Sequence, residues 1–237
     1  MPTITETVRE IALSQPSSMR VFEQFGIDYC CGGQKPLAVA CNEQDVEVGA
    51  VLAALANAAS QPAPEQTDWN KASLEELVYH ILAQHHEYVK KELPRLDALA
   101  QKVVAKHGPN HPELIEIHSA QQKLDQELTQ HLAKEEMVLF PYIVNLEHSV
   151  AGRGAKPQSC FGTITNPIRM MTQEHDGAGE LLAEIRQLSG HYTPPQDACS
   201  TYHAWYTGLK EFEQDLHQHI HLENNILFPR AIALEAR

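Results

Sequence analysis

The chain has 237 residues, long enough for one large domain or two small ones with a sizeable core. Its net charge is −13, from 31 acidic residues against 18 Lys plus Arg, which argues against a nucleic-acid or anionic-membrane partner. No apolar run approaches a membrane span, and the start MPTITETVRE is no signal peptide. The five cysteines are odd in number and badly spaced for a disulfide framework, so a reducing, cytoplasmic setting is expected. Fourteen histidines are many for this length and suit metal chemistry.

In chain order, residues 1–58 read as a small helical domain. Thr3 to Ser14 carries Ile4, Val8, Ile11 and Ala12 at helical spacing. Pro16 and Ser17 break it, and a second helix through Met19, Val21, Phe22 and Phe25 ends at Gly26. Asp28-Tyr29-Cys30-Cys31-Gly32-Gly33 follows, then a helical stretch around Asp45 to Ala58. So small a unit lacks a rich core and is expected to dock on the rest. Residues 59–72 read as a linker, because prolines and polar residues interrupt the helical period.

Residues 73–237 read as four long helices with short loops, an all-α up-down bundle. Ser73-Leu74-Glu75-Glu76 is a capping box, opening a helix to about His107 with a kink expected at Pro94. The second runs from about Pro112 to Leu146. Asn166-Pro167 opens the third, which runs to about Leu188, and the fourth spans about Ala198 to Phe228.

Within this region one pattern occurs twice. His131-Leu132-Ala133-Lys134-Glu135 and His219-Ile220-His221-Leu222-Glu223 both read H-x3-E-x3-L-F-P, 88 residues apart. Residues four apart on a helix share a face. The flanking stripes are apolar: Leu124, Leu128 and Val138 in one copy, Phe212, Leu216, Leu222 and Ile226 in the other. Both His/Glu pairs therefore face the core, where an unpartnered carboxylate costs several kcal/mol. The L-F-P tails are expected to pack and end their helices. Another histidine precedes each pair: His86, on a stripe with Tyr79, Leu82, Val89 and Leu93, and His175, with Met171, Ala178 and Leu182. His86 matches the repeat better than His85, and His219 pairs with Glu223 better than His221 does. The other histidines, including His85, His107, His217 and His221, are expected at the surface or at caps.

Four imidazoles and two carboxylates exceed the needs of one zinc and are too nitrogen-rich for calcium or magnesium. They suit iron or manganese, and six side chains shared by two metals leave bridging and open positions for O2, NO or peroxide, or for release of iron. One His/Glu pair alone would read as a satisfied polar pair; two pairs with two aligned histidines favour metal.

With these residues in view, His86, His131/Glu135, His175 and His219/Glu223 resemble a hemerythrin-like di-iron bundle. Cys30-Cys31-Gly32-Gly33 after Asp28-Tyr29 resembles the iron-sulfur cluster repair family (repair of iron centres). The resemblance covers nearly the whole chain. It implies a cytoplasmic protein with two non-haem irons, oxo- and carboxylate-bridged, that restores clusters damaged by nitric oxide or oxidative stress. Iron donation and handling of NO are the implied modes, with reductive activity on NO or nitrite left open. Glu135 and Glu223 would be the bridging carboxylates, and Glu127 and Glu174 would lie near the site. Its partners would be damaged iron-sulfur proteins and small gases such as NO or O2, with neither nucleic acid nor membrane; a homodimer is left open.

Cys30 and Cys31, as adjacent thiols in an exposed turn, are candidates for redox or iron transfer. The competing readings are an O2 or NO carrier or sensor without repair activity, and an interaction protein in which iron is structural.

Overall fold

A computed structural model describes residues 2–60 and 67–236. Among these, all regular structure is helical apart from an isolated bridge between Thr7 and Pro36. The all-α expectation is borne out. Of the expected linker, 61–66 lie outside the described residues, and 59–60 belong to a helix. No helix among the described residues is long and apolar enough to cross a membrane. The chain forms two compact units: Met1–Ser73 with His217–Arg230, and Leu74–Leu216 with Ala231–Arg237.

The first unit holds α1 (Val8–Ser14), α2 (Ser18–Phe25), α3 (Leu37–Glu43) and α4 (Val48–Ser60). Thr7 caps α1: its hydroxyl accepts the Glu10 N–H, and the Glu10 carboxylate accepts the Thr7 N–H. This cap starts the helix five residues later than expected and leaves Ile4 48% exposed. Gly26 ends α2 at φ +67, in the left-handed conformation that favours glycine. α3 was not anticipated; Pro36 precedes it, and a residue with positive φ, Asp45, separates it from α4. Val8, Ile11, Phe22, Leu37, Val51 and Leu55 form the core.

In the second unit, α5 (Leu74–Ile81) passes through a π-helical turn (Leu82–His86) into α6 (Glu87–His107), which carries Pro94 within it. α7 (Glu113–Lys134) likewise passes through a π-turn (Glu135–Leu139) into α8 (Phe140–Val150). α9 spans Thr165–Leu188, and α10 spans Ser200–His221. A third π-turn (Leu222–Leu227) follows α10 and leads into α11 (Phe228–Glu235). The L-F-P expectation is corrected: Phe140 and Phe228 begin new α-helical segments. Pro141 falls in the first turn after its π-turn, where a missing N–H costs little.

α6 packs on α7, α7 on α9 and α5 on α8. Glu147 on α8 accepts the first N–H groups of α5, those of Leu74 and Glu75, at 2.8 and 3.0 Å, so these ends run antiparallel. The buried Trp205 on α10 donates its indole N–H to Gln121 on α7 at 2.7 Å. Gly208 lets α10 approach α6, since a Cβ there would meet Leu96 at 2.7 Å.

Candidate metal centre

In the second unit four predicted ligands converge. His86 ends the first π-turn, Glu135 opens the second, His131 stands one turn before Glu135, and His175 projects from α9. All four are buried. Glu135 Oε2 lies 3.5 Å from His86 Nε2 and 3.4 Å from His131 Nε2. The Nε2 atoms of His131 and His175 are 3.0 Å apart. One donor atom from each of His131, Glu135 and His175 falls within a 4.8 Å span. In the first unit, His219 Nε2 lies 3.0 Å from Glu223 Oε1, and both residues are buried. Glu223 also sits in a π-turn, so each predicted H-x3-E pair straddles an α-to-π junction. Such turns are common at functional sites because the extra residue re-aims a side chain.

The outward nitrogens explain the orientation of the rings. His86 Nδ1–H donates to Glu136 at 2.8 Å, and Glu136 also takes Lys90 at 2.8 Å. His131 Nδ1–H donates to Glu174 at 2.8 Å, and Glu174 also takes Lys134. With the proton on Nδ1, each Nε2 turns a lone pair toward Glu135. Carboxylates that hold the second nitrogen of a ligating histidine fix its tautomer and raise its basicity. The His131 hydrogen bond pulls the Glu174 carboxyl down to about 2, against burial. Burial works against ionisation of Glu136 too, but hydrogen bonds from Lys90 and His86 leave its carboxyl below the usual range. Buried imidazoles and a carboxylate, with lone pairs converging and backed by carboxylates, fit a metal ion of the iron or manganese class.

Five residues are placed otherwise than expected: His85, His221, His107, Tyr79 and Val138. His85 is buried and bonds Asp215 at 3.0 Å, while His86 turns to Glu135. His221 is buried and neutral: burial pushes its pKa down to about 4, and its Nδ1 accepts from Asn225 at 3.0 Å. His107 is buried as well. Tyr79, placed with His86 by the sequence pattern, is 60% exposed, and Val138 is 43% exposed. Glu127 is half-exposed and stands 3.9 Å from Lys123. Glu136, Lys90 and Lys134 were missed; their spacing from His86 and His131 was the available signal.

The dicysteine turn lies in the first unit. The Asp28 carboxylate accepts the N–H groups of Cys30, Cys31 and Gly32 at 2.9, 3.0 and 2.7 Å. A Cβ on Gly32 would stand 2.9 Å from that carboxylate, and one on Gly33 2.8 Å from the Tyr29 carbonyl, so the tight turn requires both glycines. An exposed turn was expected, but Cys30 is buried and Cys31 is partly accessible. Their sulfurs are 3.7 Å apart, with the Cys30 thiol donating to Cys31 and no disulfide between them. The hydrogen bond to Cys31, with burial, raises the Cys30 pKa and keeps it a thiol. Asn225 donates to the Tyr29 carbonyl at 3.0 Å, Asn224 to the Cys30 carbonyl at 3.4 Å, and Arg9 to the Asn225 carbonyl at 3.1 Å. The two asparagines directly after Glu223 thus fasten the turn to the segment carrying His219 and Glu223.

The helices and the buried His/Glu group define a cation-binding bundle of the hemerythrin type. Residues 77–231 match the Hemerythrin HHE cation binding domain, and residues 4–59 match a domain of unknown function, DUF542. Over 228 residues the chain is 38% identical to the iron-sulfur cluster repair protein YtfE of Dickeya chrysanthemi (strain Ech1591), covering 96% of both chains. It is 40% identical over 228 residues to the proteins of that name from Citrobacter koseri and Salmonella choleraesuis, covering 95% of this chain and 96% of each relative. The chain belongs to the family of hemerythrin-type iron-sulfur cluster repair proteins.

Proposed function

We propose that this chain repairs damaged iron-sulfur clusters through a two-iron centre held by His86, His131, Glu135, His175, His219 and Glu223. The observation that carries the reading is Glu135, whose Oε2 lies within 3.5 Å of Nε2 of both His86 and His131. A carboxylate between imidazoles of two helices suits a bridging ligand. The sequence repeat puts Glu223 in the same relation to His219, and the aligned His86 and His175 complete two equivalent sets. The relatives named above carry the repair function in their names.

Bound iron would supply a redox-active, coordinatively open centre for a small gas such as NO or O2, and iron that can be given up. The chain's own residues do the rest. Glu136 and Glu174 hold the proton on Nδ1 of His86 and His131. Lys90 and Lys134 balance those carboxylates at the surface, and the apolar stripes exclude water. The dicysteine turn, anchored beside Glu223 through Asn224 and Asn225, offers Cys31 as an accessible thiol backed by Cys30 for transfer of iron or electrons. Damaged iron-sulfur proteins of the cytoplasm are the proposed partners.

The test is iron content with Mössbauer spectra, followed by reactivation of a nitric oxide-damaged [4Fe–4S] hydratase. About two coupled irons per chain and reactivation that is lost in Glu135→Ala are expected. A stable oxygen adduct without reactivation would establish the carrier reading instead.

A further inference from the structure

The second unit contains a group of titratable side chains that the metal centre does not use. His85 and His86 are neighbours in the π-turn Leu82–His86. His86 turns to Glu135. His85, 6% exposed, donates from Nδ1 to Oδ1 of Asp215 on α10 at 3.0 Å. The other oxygen of that carboxylate, Oδ2, is buried and has no hydrogen-bond partner among the described residues. Among these residues the carboxylate forms an ion pair with His85 alone. His80, in the last turn of α5, is half-buried and lies edge-on to His85, with ring centroids 5.8 Å apart. The two imidazoles are five residues apart, and the i to i+5 bonding of a π-turn keeps such residues on one face. Burial and the nearby His85 lower the His80 pKa, so this ring is mostly neutral at pH 7 and keeps a lone pair. The surroundings are acidic: burial, then Glu92, Asp215 and Glu211, push the Tyr88 hydroxyl up to about 12, against Arg95.

We propose that Asp215 and His80 form a second divalent-cation site, in which Oδ2 of Asp215 and the His80 imidazole take one hydrated first-row transition ion such as Fe²⁺ or Mn²⁺. The orphan oxygen carries the argument. A carboxylate oxygen buried without a donor is costly, and a cation relieves that cost. Imidazole, carboxylate and water together suit iron or manganese. His85 is the positioning residue: it holds Oδ1 and so fixes the direction of Oδ2, as hydrogen bonds do for ligating carboxylates. Two side chains leave most of the coordination shell to water, so the ion is held weakly and exchanges. His85 and His86 share a peptide bond, so this weak site stands beside the buried His/Glu group while sharing no ligand with it. The proposal does not depend on how many ions that group holds.

The test uses the full-length, iron-loaded protein at about 0.15 M salt, where exposed acidic residues are screened. Mn²⁺ is added without oxygen, and the free ion is counted from its EPR signal. Iron in solution is measured at each point, so that exchange into the buried group is recognised. About one Mn²⁺ per chain is expected to bind with no iron released. The electron spin echo of the bound ion should carry an imidazole nitrogen coupling that disappears in His80→Gln. Asp215→Asn keeps the shape of the side chain and removes its charge, and should weaken binding at least roughly tenfold. Mn²⁺ that stays free, or that enters only as iron leaves, would show that water meets the orphan oxygen and would overturn the proposal. A bound ion without nitrogen coupling, or binding by both variants that matches the wild type, would overturn it as well. The wild-type titration and His80→Gln, at a half-buried position, do not depend on how Asp215→Asn folds.

Discussion

Nδ1 of His131, on α7, lies 2.8 Å from the carboxylate of Glu174, on α9, and this contact decides which nitrogen faces Glu135. Glu136 does the same for His86. Replacing Glu174 by Ala frees the tautomer and the ring without touching a ligand. Iron affinity is expected to fall roughly 10–100-fold, read by competition with a chelator of known affinity. Glu136→Ala should act on the same scale, while Glu127→Ala, at a half-exposed carboxylate near Lys123, should change affinity less than twofold. Equal losses in all three would mean that net charge, not ring orientation, sets the affinity.

The repeat and the four long helices were legible because apolar residues recur at helical spacing over many turns. What the pattern missed follows from the π-turns. A helix face predicted from residues seven apart assumes 3.6 residues per turn. The π-turn Leu82–His86 stands between Tyr79 and His86 and rotates the face, so His86 is buried and Tyr79 is not. The π-turn Glu135–Leu139 separates His131 from Val138 in the same way. The buried His85 and His221 were misjudged because their partners, Asp215 and Asn225, are defined by the fold, with Asp215 distant in sequence.

Removal of iron is expected to destabilise the chain. A ligand that binds only the folded state adds about 2.7 kcal/mol when its free concentration is 100 times Kd. Chelation should therefore lower the thermal midpoint by several degrees, and restored ferrous iron should recover it. In Glu135→Ala the shift should vanish. An unchanged midpoint on chelation of the wild type would show that the buried His/Glu group holds no stabilising ion.

Asp28 binds three successive N–H groups of the dicysteine turn. Asp28→Ala leaves them without that acceptor and is expected to cost about 2 kcal/mol, measured by urea denaturation. Gly32→Ala should destabilise in the same direction, because its Cβ would stand 2.9 Å from the Asp28 carboxylate. Cys30→Ser with Cys31→Ser keeps the turn and all six proposed ligands. Iron content should stay unchanged while cluster reactivation falls. Full reactivation by the double variant would remove the thiols from the mechanism.

Glu235, at the end of α11, closes the start of α9 in the second unit. Its carboxylate accepts the Tyr142 hydroxyl at 2.8 Å, the Thr163 hydroxyl at 2.7 Å and the Ile164 N–H at 3.0 Å. Burial opposes ionisation, but the hydroxyl hydrogen bonds and the Ile164 N–H outweigh it and hold the carboxyl below its ordinary 4.5. A folded-state pKa below the unfolded one means stability that is fully present above the ordinary value and is lost as pH falls through the folded value. Glu235→Gln keeps one acceptor oxygen and removes the charge, so it should cost about 1 kcal/mol at pH 7. The gap between wild type and variant should narrow as pH falls from 5 toward 3, because the wild-type carboxyl then becomes neutral too. Urea denaturation of both proteins at matched pH and iron loading reads this difference directly, and a gap of the same size at both ends of the range would assign the contact to shape rather than charge.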